Sequence, residues 1–343
     1  MIGSHFNPNA TALTNATLFG LPHDENNAKI IIIPAPFDVT VSYRDGTSLA
    51  PMHILMTSGQ IDLYHSDFPT LWEKGIFLLP TLKEDIELNQ RLRHLSCPII
   101  QALESGECLE KKGLRQQIQT INGGCSQFAT QLKKRILEQI DNNKYVGVLG
   151  GEHGISMGSL DAFSERYSSF GILQLDAHMD LRDTYQGFTH SHASVMRYGV
   201  SLNSVSHLVQ VGIRDYCHEE VAYAQSHPKI SSFSALYLHE QLFQGHTWDR
   251  LCDEIIESLP PHVYLTFDID VLDPSFCPHT GTPVGGGVTV QQMLYLIKKL
   301  AYSKKVIIGF DLVEVSGDAH QIDTIIASQL LFQLCGYGLS SQY

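Results

Sequence analysis

Apolar residues in this chain come in short runs separated by helical periods, and the runs outline the fold. Ile30 to Pro34 is β-branched and closed by Pro34 and Pro36, the mark of a buried strand entering a loop, here Asp38 to Pro51. Tyr145 to Leu149, Gly171 to Leu175, Leu208 to Val211, Val263 to Phe267 and Val306 to Phe310 repeat the pattern and read as strands buried on both faces. Helical apolar spacing covers Glu84 to Leu95, Leu114 to Ile140 with an interruption at Gly123-Gly124, Thr289 to Ala301 and Ala319 to Leu334. Strands alternating with helices predict a three-layer α/β/α fold around a central, mainly parallel sheet with right-handed crossovers.

The pattern is weaker in two places. Residues 1–28 are rich in Asn, Thr and Ala without a period and read as an N-terminal arm. Residues 65–113 mix Pro-bounded loops with one helix and read as an elaboration beside the sheet. Neither breaks the alternation, so residues 1–343 are expected to form one domain.

Composition narrows the function. Hydrophobic residues at 43% and charged residues at 17% suit a chain that buries a sizeable core. Thirty-six acidic residues against 23 basic ones leave a formal charge of -13, which disfavours nucleic acid and favours a small cationic partner. The basic run Lys133-Lys134-Arg135 reads as a solvated helix face. Seven cysteines without a CxxC pair suggest reduced thiols and a cytoplasmic protein. Residues 1–21 lack a signal-peptide pattern, and no apolar stretch reaches the ~20 residues that span a bilayer, so no membrane partner is expected.

Polar clusters follow the strands: Gly150-Gly151-Glu152-His153, Asp176-Ala177-His178-Met179-Asp180, Asp268-Ile269-Asp270 and Glu314. Open parallel sheets place their sites past the C-terminal ends of strands. Alternation along extended backbone would set Asp176, His178 and Asp180 on one side, and Asp268 and Asp270 likewise. A lone DxD more often caps a helix, but DxHxD followed by DxD gathers four carboxylates that would repel one another without divalent cations. With His153 the candidate metal ligands are His153, Asp176, His178, Asp180, Asp268 and Asp270, enough for two ions. Carboxylates with a minority of imidazoles suit Mn²⁺ better than structural Zn²⁺, and a water shared by two such ions becomes a nucleophile near neutral pH, so hydrolysis is expected. Gly150-Gly151 and Gly285-Gly286-Gly287 lack the Lys-Ser/Thr ending of a nucleotide loop. Cys277 reads as a small packed residue, and His190 and His279 as loop residues near the mouth.

Together with Ser191-His192-Ala193, Asp273-Pro274, Thr280-Gly281-Thr282-Pro283 and Val313-Glu314-Val315, these segments resemble the ordered motifs of the ureohydrolase (arginase/agmatinase) family, as does Ser42 to Thr47 with Pro51. The resemblance runs from about Ile30 to the C-terminus and is weakest over 65–113. It implies an arginase-like fold and two Mn²⁺ per chain, one held by His153, Asp176, Asp180 and Asp268, the other by Asp176, His178, Asp268 and Asp270. It further implies proton relay by Asp180, a proton-shuttling His192, a Glu314 that pairs with the guanidinium, and a homo-oligomer, trimer or hexamer. The expected reaction is hydrolysis of a guanidino compound to urea and an amine.

Two departures matter. Glu152-His153-Gly154 stands where the family often has Asp-His-Ser, and Leu181 to His190 resembles the short loop of many agmatinases, without the Ser/Asn row that grips an α-amino acid. Agmatine is therefore the leading substrate and arginine the next. Guanidinobutyrate, formimidoylglutamate and guanidine stay open, as does a non-enzymatic metal-bearing regulatory subunit. Arg182 is ambiguous: it could bind a substrate carboxylate in the pocket or pair with Asp183 or another acid at the surface.

Overall fold

The structure, a computed structural model, describes residues 6–11, 17–108 and 112–343. Ile30 and Ile32 point into one apolar cluster while Ile31 and Ile33 point into another, all four fully buried. Such double burial makes a β-branched run without polar alternation a central strand. The strands in chain order are β1 (Ile30–Ala35), β2 (Ile76–Leu78), β3 (Tyr145–Gly150), β4 (Phe170–Leu175), β5 (Val205–Val211), β6 (Ile230–Phe233), β7 (His262–Asp268) and β8 (Val306–Val313). They form an eight-stranded sheet in the order β2-β1-β3-β8-β7-β4-β5-β6, with every pairing parallel.

Helices cover both faces. Ala50–Ser58, Trp248–Glu257, Val290–Ala301 and Ile322–Ser340 pack on one, and Lys83–Glu104, Lys112–Asp141, Ser156–Arg166 and Val195–Ser201 on the other. The expected three-layer α/β/α fold is what the chain adopts.

Several elements differ from the sequence expectation. Lys112–Asp141 is continuous through Gly123-Gly124. Gly124 serves packing there, since a Cβ would come within 2.5 Å of the Leu92 side chain on the neighbouring helix. That neighbour runs Lys83–Glu104, past Leu95 and through Pro98, because Leu88, Leu92, Ile99 and Ile100 keep one apolar face buried throughout. The elaboration over 65–113 contributes β2 to the sheet itself. The described part of the arm is not loose, for Leu18, Phe19 and Leu21 enter the core and Phe19 meets Phe332 edge-on at 5.2 Å. Arg135 leaves the basic run to pair at 2.9 Å with the buried Asp85, so that run is only partly a solvated face. The helix Ile322–Ser340 is long and apolar enough to cross a bilayer, contrary to expectation, but 78% of its apolar window is buried in the protein and it is a core helix.

Candidate metal centre

Four neighbouring strands at the middle of the sheet, β3, β8, β7 and β4, deliver the candidate ligands past their C-terminal ends. His153 follows β3 across Gly150 and Gly151, both at positive φ and both pressed so close to the carbonyls of Ala35 and Phe37 that a Cβ would collide. Asp176, His178 and Asp180 follow β4. Asp268 ends β7, and Asp270 lies in the 3₁₀ turn Ile269–Val271 that follows. Glu314 follows β8.

Simple alternation is not what brings these groups together. Asp268 caps the 3₁₀ turn by accepting from the Asp270 amide at 2.9 Å, and the tight turn swings Asp270 back beside it. Asp176 accepts from the His178 amide at 2.6 Å. Asp180 and Glu314 both have left-handed backbone, with φ of 54° and 57°, a conformation that non-glycine residues hold only when their surroundings impose it.

His153 Nδ1 lies 2.9 Å from Asp180 Oδ2, 3.0 Å from Asp176 Oδ2 and 3.5 Å from Asp268 Oδ2. His178 Nδ1 lies 3.0 Å from Asp270 Oδ2 and 3.5 Å from Asp176 Oδ1. Two donor groups emerge, His153-Asp176-Asp268 and Asp176-His178-Asp270, which share Asp176 and could each hold a metal ion. His153 Nδ1 and Asp270 Oδ2 are buried and make no well-aligned hydrogen bond, although carboxylate oxygens stand 2.9 and 3.0 Å from the first and His178 Nδ1 3.0 Å from the second. A buried polar atom left this way is costly unless something completes it. The spacing agrees: two ligands at right angles around an ion ~2.1 Å away stand ~3.0 Å apart. The two groups hold five of the six sequence-predicted ligands, and Asp180 stands outside both, 2.9 Å from His153 Nδ1.

Burial, and after it mutual repulsion, shifts the protonation of the group. Burial first, then the charges of Asp270, Asp176 and Glu314, push Asp268 well above the carboxylate range. Burial and Asp176 raise Asp180 to about 7, and burial with Asp270 raises Glu314 to about 8. Burial opposes charge on His153, yet the contacts of Asp176 and Asp180 raise it well above the usual imidazole value. His192 goes the other way, lowered to about 3 by burial and by the positive charges of His178, His153, Arg93 and Arg182.

Below the ligands lies a row that sequence reading missed. Ser232, Gln210, Gln174, Thr266 and Asp311 stand in register on β6, β5, β4, β7 and β8. Ser232 donates to Gln210 and Gln210 to Gln174, each at 2.7 Å, and Gln174 donates to Asp176 Oδ2 at 2.8 Å. Thr266 Oγ1 donates to Asp311 at 2.6 Å and meets His153 Nε2 at 2.8 Å, which leaves Nδ1 as the metal-facing nitrogen. The signal was a polar residue, Gln174, Thr266 or Asp311, inside each of the otherwise apolar runs of β4, β7 and β8. Arg214, also missed, braces the 3₁₀ turn by donating to the carbonyls of Asp270, Val271 and Leu272.

Other sequence candidates fall into place. Glu314 Oε1 accepts from the His153 amide at 2.7 Å, tying β8 to β3. His192 lies at the start of a 3₁₀ turn capped by Ser191, and Tyr185 packs edge-on against its ring at 5.7 Å. Gly154, one of the departures, allows this close approach, since a Cβ there would stand 3.1 Å from the His192 amide nitrogen. Arg182 lies 3.8 Å from Glu220 and over the Tyr185 ring, while Asp183 pairs with Arg197 instead. His279 meets Asp323 at 2.7 Å, and Cys277 is packed with its thiol on the Ile269 carbonyl.

An all-parallel sheet with carboxylates and imidazoles converging at the ends of its central strands defines an α/β protein built around a cluster that could hold metal. The model of the arginase family matches residues 28–336. An N(1)-aminopropylagmatine ureohydrolase of Thermus thermophilus is 26% identical over 317 residues, covering 92% of this chain and 91% of that protein. An agmatinase of Halalkalibacterium halodurans is 37% identical over 295 residues, 84% of each chain. The solved agmatine ureohydrolase of Thermoplasma volcanium shares the fold, with a TM-score of 0.72, 22% identity and 96% coverage of both chains. The chain belongs to the arginase family, whose members are hydrolases acting on guanidino C–N bonds.

Proposed function

We propose that this protein is a binuclear manganese amidinohydrolase that converts agmatine to putrescine and urea. The convergence of His153, Asp176, Asp268, His178 and Asp270 in two donor groups that share Asp176, in a chain of this family, carries the reading. His153, Asp176, Asp180 and Asp268 would hold one ion and Asp176, His178, Asp268 and Asp270 the other. Two Mn²⁺ ions, when bound, supply Lewis acidity and an activated water.

The chain's own groups do the rest. Glu314, buried at the rim with one oxygen on the His153 amide, presents its other oxygen to the substrate guanidinium, whose positive charge draws the carboxyl to its ionised form, and orients that group by the charge-assisted hydrogen bond that results. Asp180, 2.9 Å from His153 Nδ1, would carry a proton to the leaving amine. His192, packed edge-on against Tyr185, exchanges protons between the cluster and the mouth.

A longer cationic tail is the second reading, favoured by the Thermus relative and by the exposed Asp215, whose carboxylate lies 3.9 Å from His178. Urea release from agmatine, N(1)-aminopropylagmatine, arginine, 4-guanidinobutyrate and guanidine, measured with added Mn²⁺, tests both. No urea from any of them would overturn the assignment.

A further inference from the structure

Thr40 was no candidate in the sequence, yet it sits fully buried beside His192. Its amide and its hydroxyl both donate to Glu152 Oε2, at 2.9 and 2.8 Å. Thr40 Oγ1 is also 3.1 Å from His192 Nδ1 and 3.3 Å from the His192 amide, which donates to it. A hydroxyl has one proton and two lone pairs. With the proton committed to the Glu152 carboxylate, the lone pairs are left for the His192 amide and for Nδ1–H. Nδ1 then carries the hydrogen, and Nε2 keeps the lone pair.

The loop bearing Thr40 is fixed from behind by the helix Lys83–Glu104, in the segment whose purpose the sequence does not reveal. Asn89 and Asp38 form a reciprocal pair, the Asp38 amide donating to Asn89 Oδ1 at 2.8 Å and Asn89 Nδ2 donating to Asp38 Oδ1 at 3.0 Å. Arg93 donates to the carbonyls of Val39 and Val41, and Ser96 to that of Val39. Thr40 therefore has rigid neighbours on both sides, and the Glu152 and Gly154 departures face the same histidine.

We infer that Thr40, anchored by Glu152 and by the helix Lys83–Glu104, is a positioning residue that sets the tautomer and orientation of His192. The inference rests on the reading of His192 as a proton-exchanging group. Holding the right tautomer matters because a general base works only through the nitrogen that has the free lone pair.

The test is a double-mutant cycle on the metal-loaded enzyme. Thr40→Val keeps the shape and loses the hydroxyl, so kcat should fall at least about tenfold with KM and bound metal unchanged. Thr40→Ser should recover kcat to within about threefold. In a His192→Ala background, Thr40→Val should cost nothing further, since its effect passes through the imidazole. If the Thr40→Val variant does not fold, Thr40→Ala removes the hydroxyl without misfit and enters the same cycle. Equal losses from the Thr40 change in both backgrounds would overturn the inference, as would an unchanged kcat. Full activity in His192→Ala would overturn it together with the role given to His192, and an absence of urea from the wild-type enzyme would instead strike the proposed reaction.

Discussion

Gln174 Nε2 donates to Asp176 Oδ2 at 2.8 Å, a neutral amide buried in the sheet and aimed at the carboxylate common to both candidate metal groups. The amide also donates to the His178 carbonyl at 3.1 Å, so one side chain fixes both ligands. Gln174→Met preserves volume and removes both bonds. Metal affinity is expected to fall about 10–100-fold, the usual cost of losing an outer partner of a ligand. Competition with a chelator measures this, and an unchanged affinity would reduce Gln174 to packing.

Asp176 and Asp268 should matter more to metal content than either histidine. Asp176 belongs to both donor groups, and Asp268 lies between His153 and the 3₁₀ turn holding Asp270. Asp176→Ala or Asp268→Ala is expected to strip more bound metal per chain than His153→Ala or His178→Ala. Elemental analysis of the purified variants decides it. Two ions and full turnover retained in Asp176→Ala would end the binuclear reading.

The candidate ligands were legible because DxHxD and DxD are local in sequence and each stands at the end of a buried strand. What holds them was not, because Gln174, Thr266 and Asp311 meet only when β4, β7 and β8 pair in register. The edge strands escaped for a related reason. Ile76–Leu78 has three residues, and Ile230–Phe233 has Ser231 and Ser232 at its centre, so neither shows a period long enough to separate from a loop. Gly123-Gly124 misled because glycine marks both a broken helix and a close helix crossing, and only the position of Leu92 tells them apart.

Removing metal should make stability depend on pH in a defined direction. Asp180 and Glu314, at about 7 and about 8, and Asp268, higher than the carboxylate range, titrate far above the ~4 expected in the unfolded chain. Between those values the folded state binds more protons, so stability falls as pH rises. His153 and His178, raised above ordinary imidazole, add the same sign above about 6.5. His192, lowered to about 3, acts oppositely, but only below the ordinary imidazole value of about 6.5. From about pH 6.5 to 8 the raised groups therefore act together, and the chelated protein should lose Tm across that window. The Mn²⁺-loaded protein should be nearly flat. A metal-free Tm that climbs from about pH 6.5 to 8 would contradict the charge arrangement.

Glu314→Gln keeps an oxygen for the His153 amide while removing the charge. If Glu314 pairs with the guanidinium, kcat/KM should drop at least ~10-fold, equivalent to ~1.4 kcal/mol, with metal content unchanged. Steady-state kinetics beside elemental analysis separates this from a structural effect, for which the rate would stay and Tm would fall.

Arg182 bears on whether the substrate has a carboxylate. Its guanidinium stacks 4.9 Å over the Tyr185 ring and leans toward Glu220, which is itself occupied by the amides of Leu181 and Cys217. Directed there, the charge is spent within the protein, and arginine's α-carboxylate entering an acidic cleft without a partner would cost several kcal/mol. Agmatine should accordingly show the higher kcat/KM, and Arg182→Ala should leave the agmatine-to-arginine ratio within about threefold. The contrary result is equally readable. Preference for arginine or 4-guanidinobutyrate that disappears in Arg182→Ala would mean that the guanidinium swings off Tyr185 to meet a substrate carboxylate, which replaces the agmatinase reading and leaves the hydrolytic centre as described.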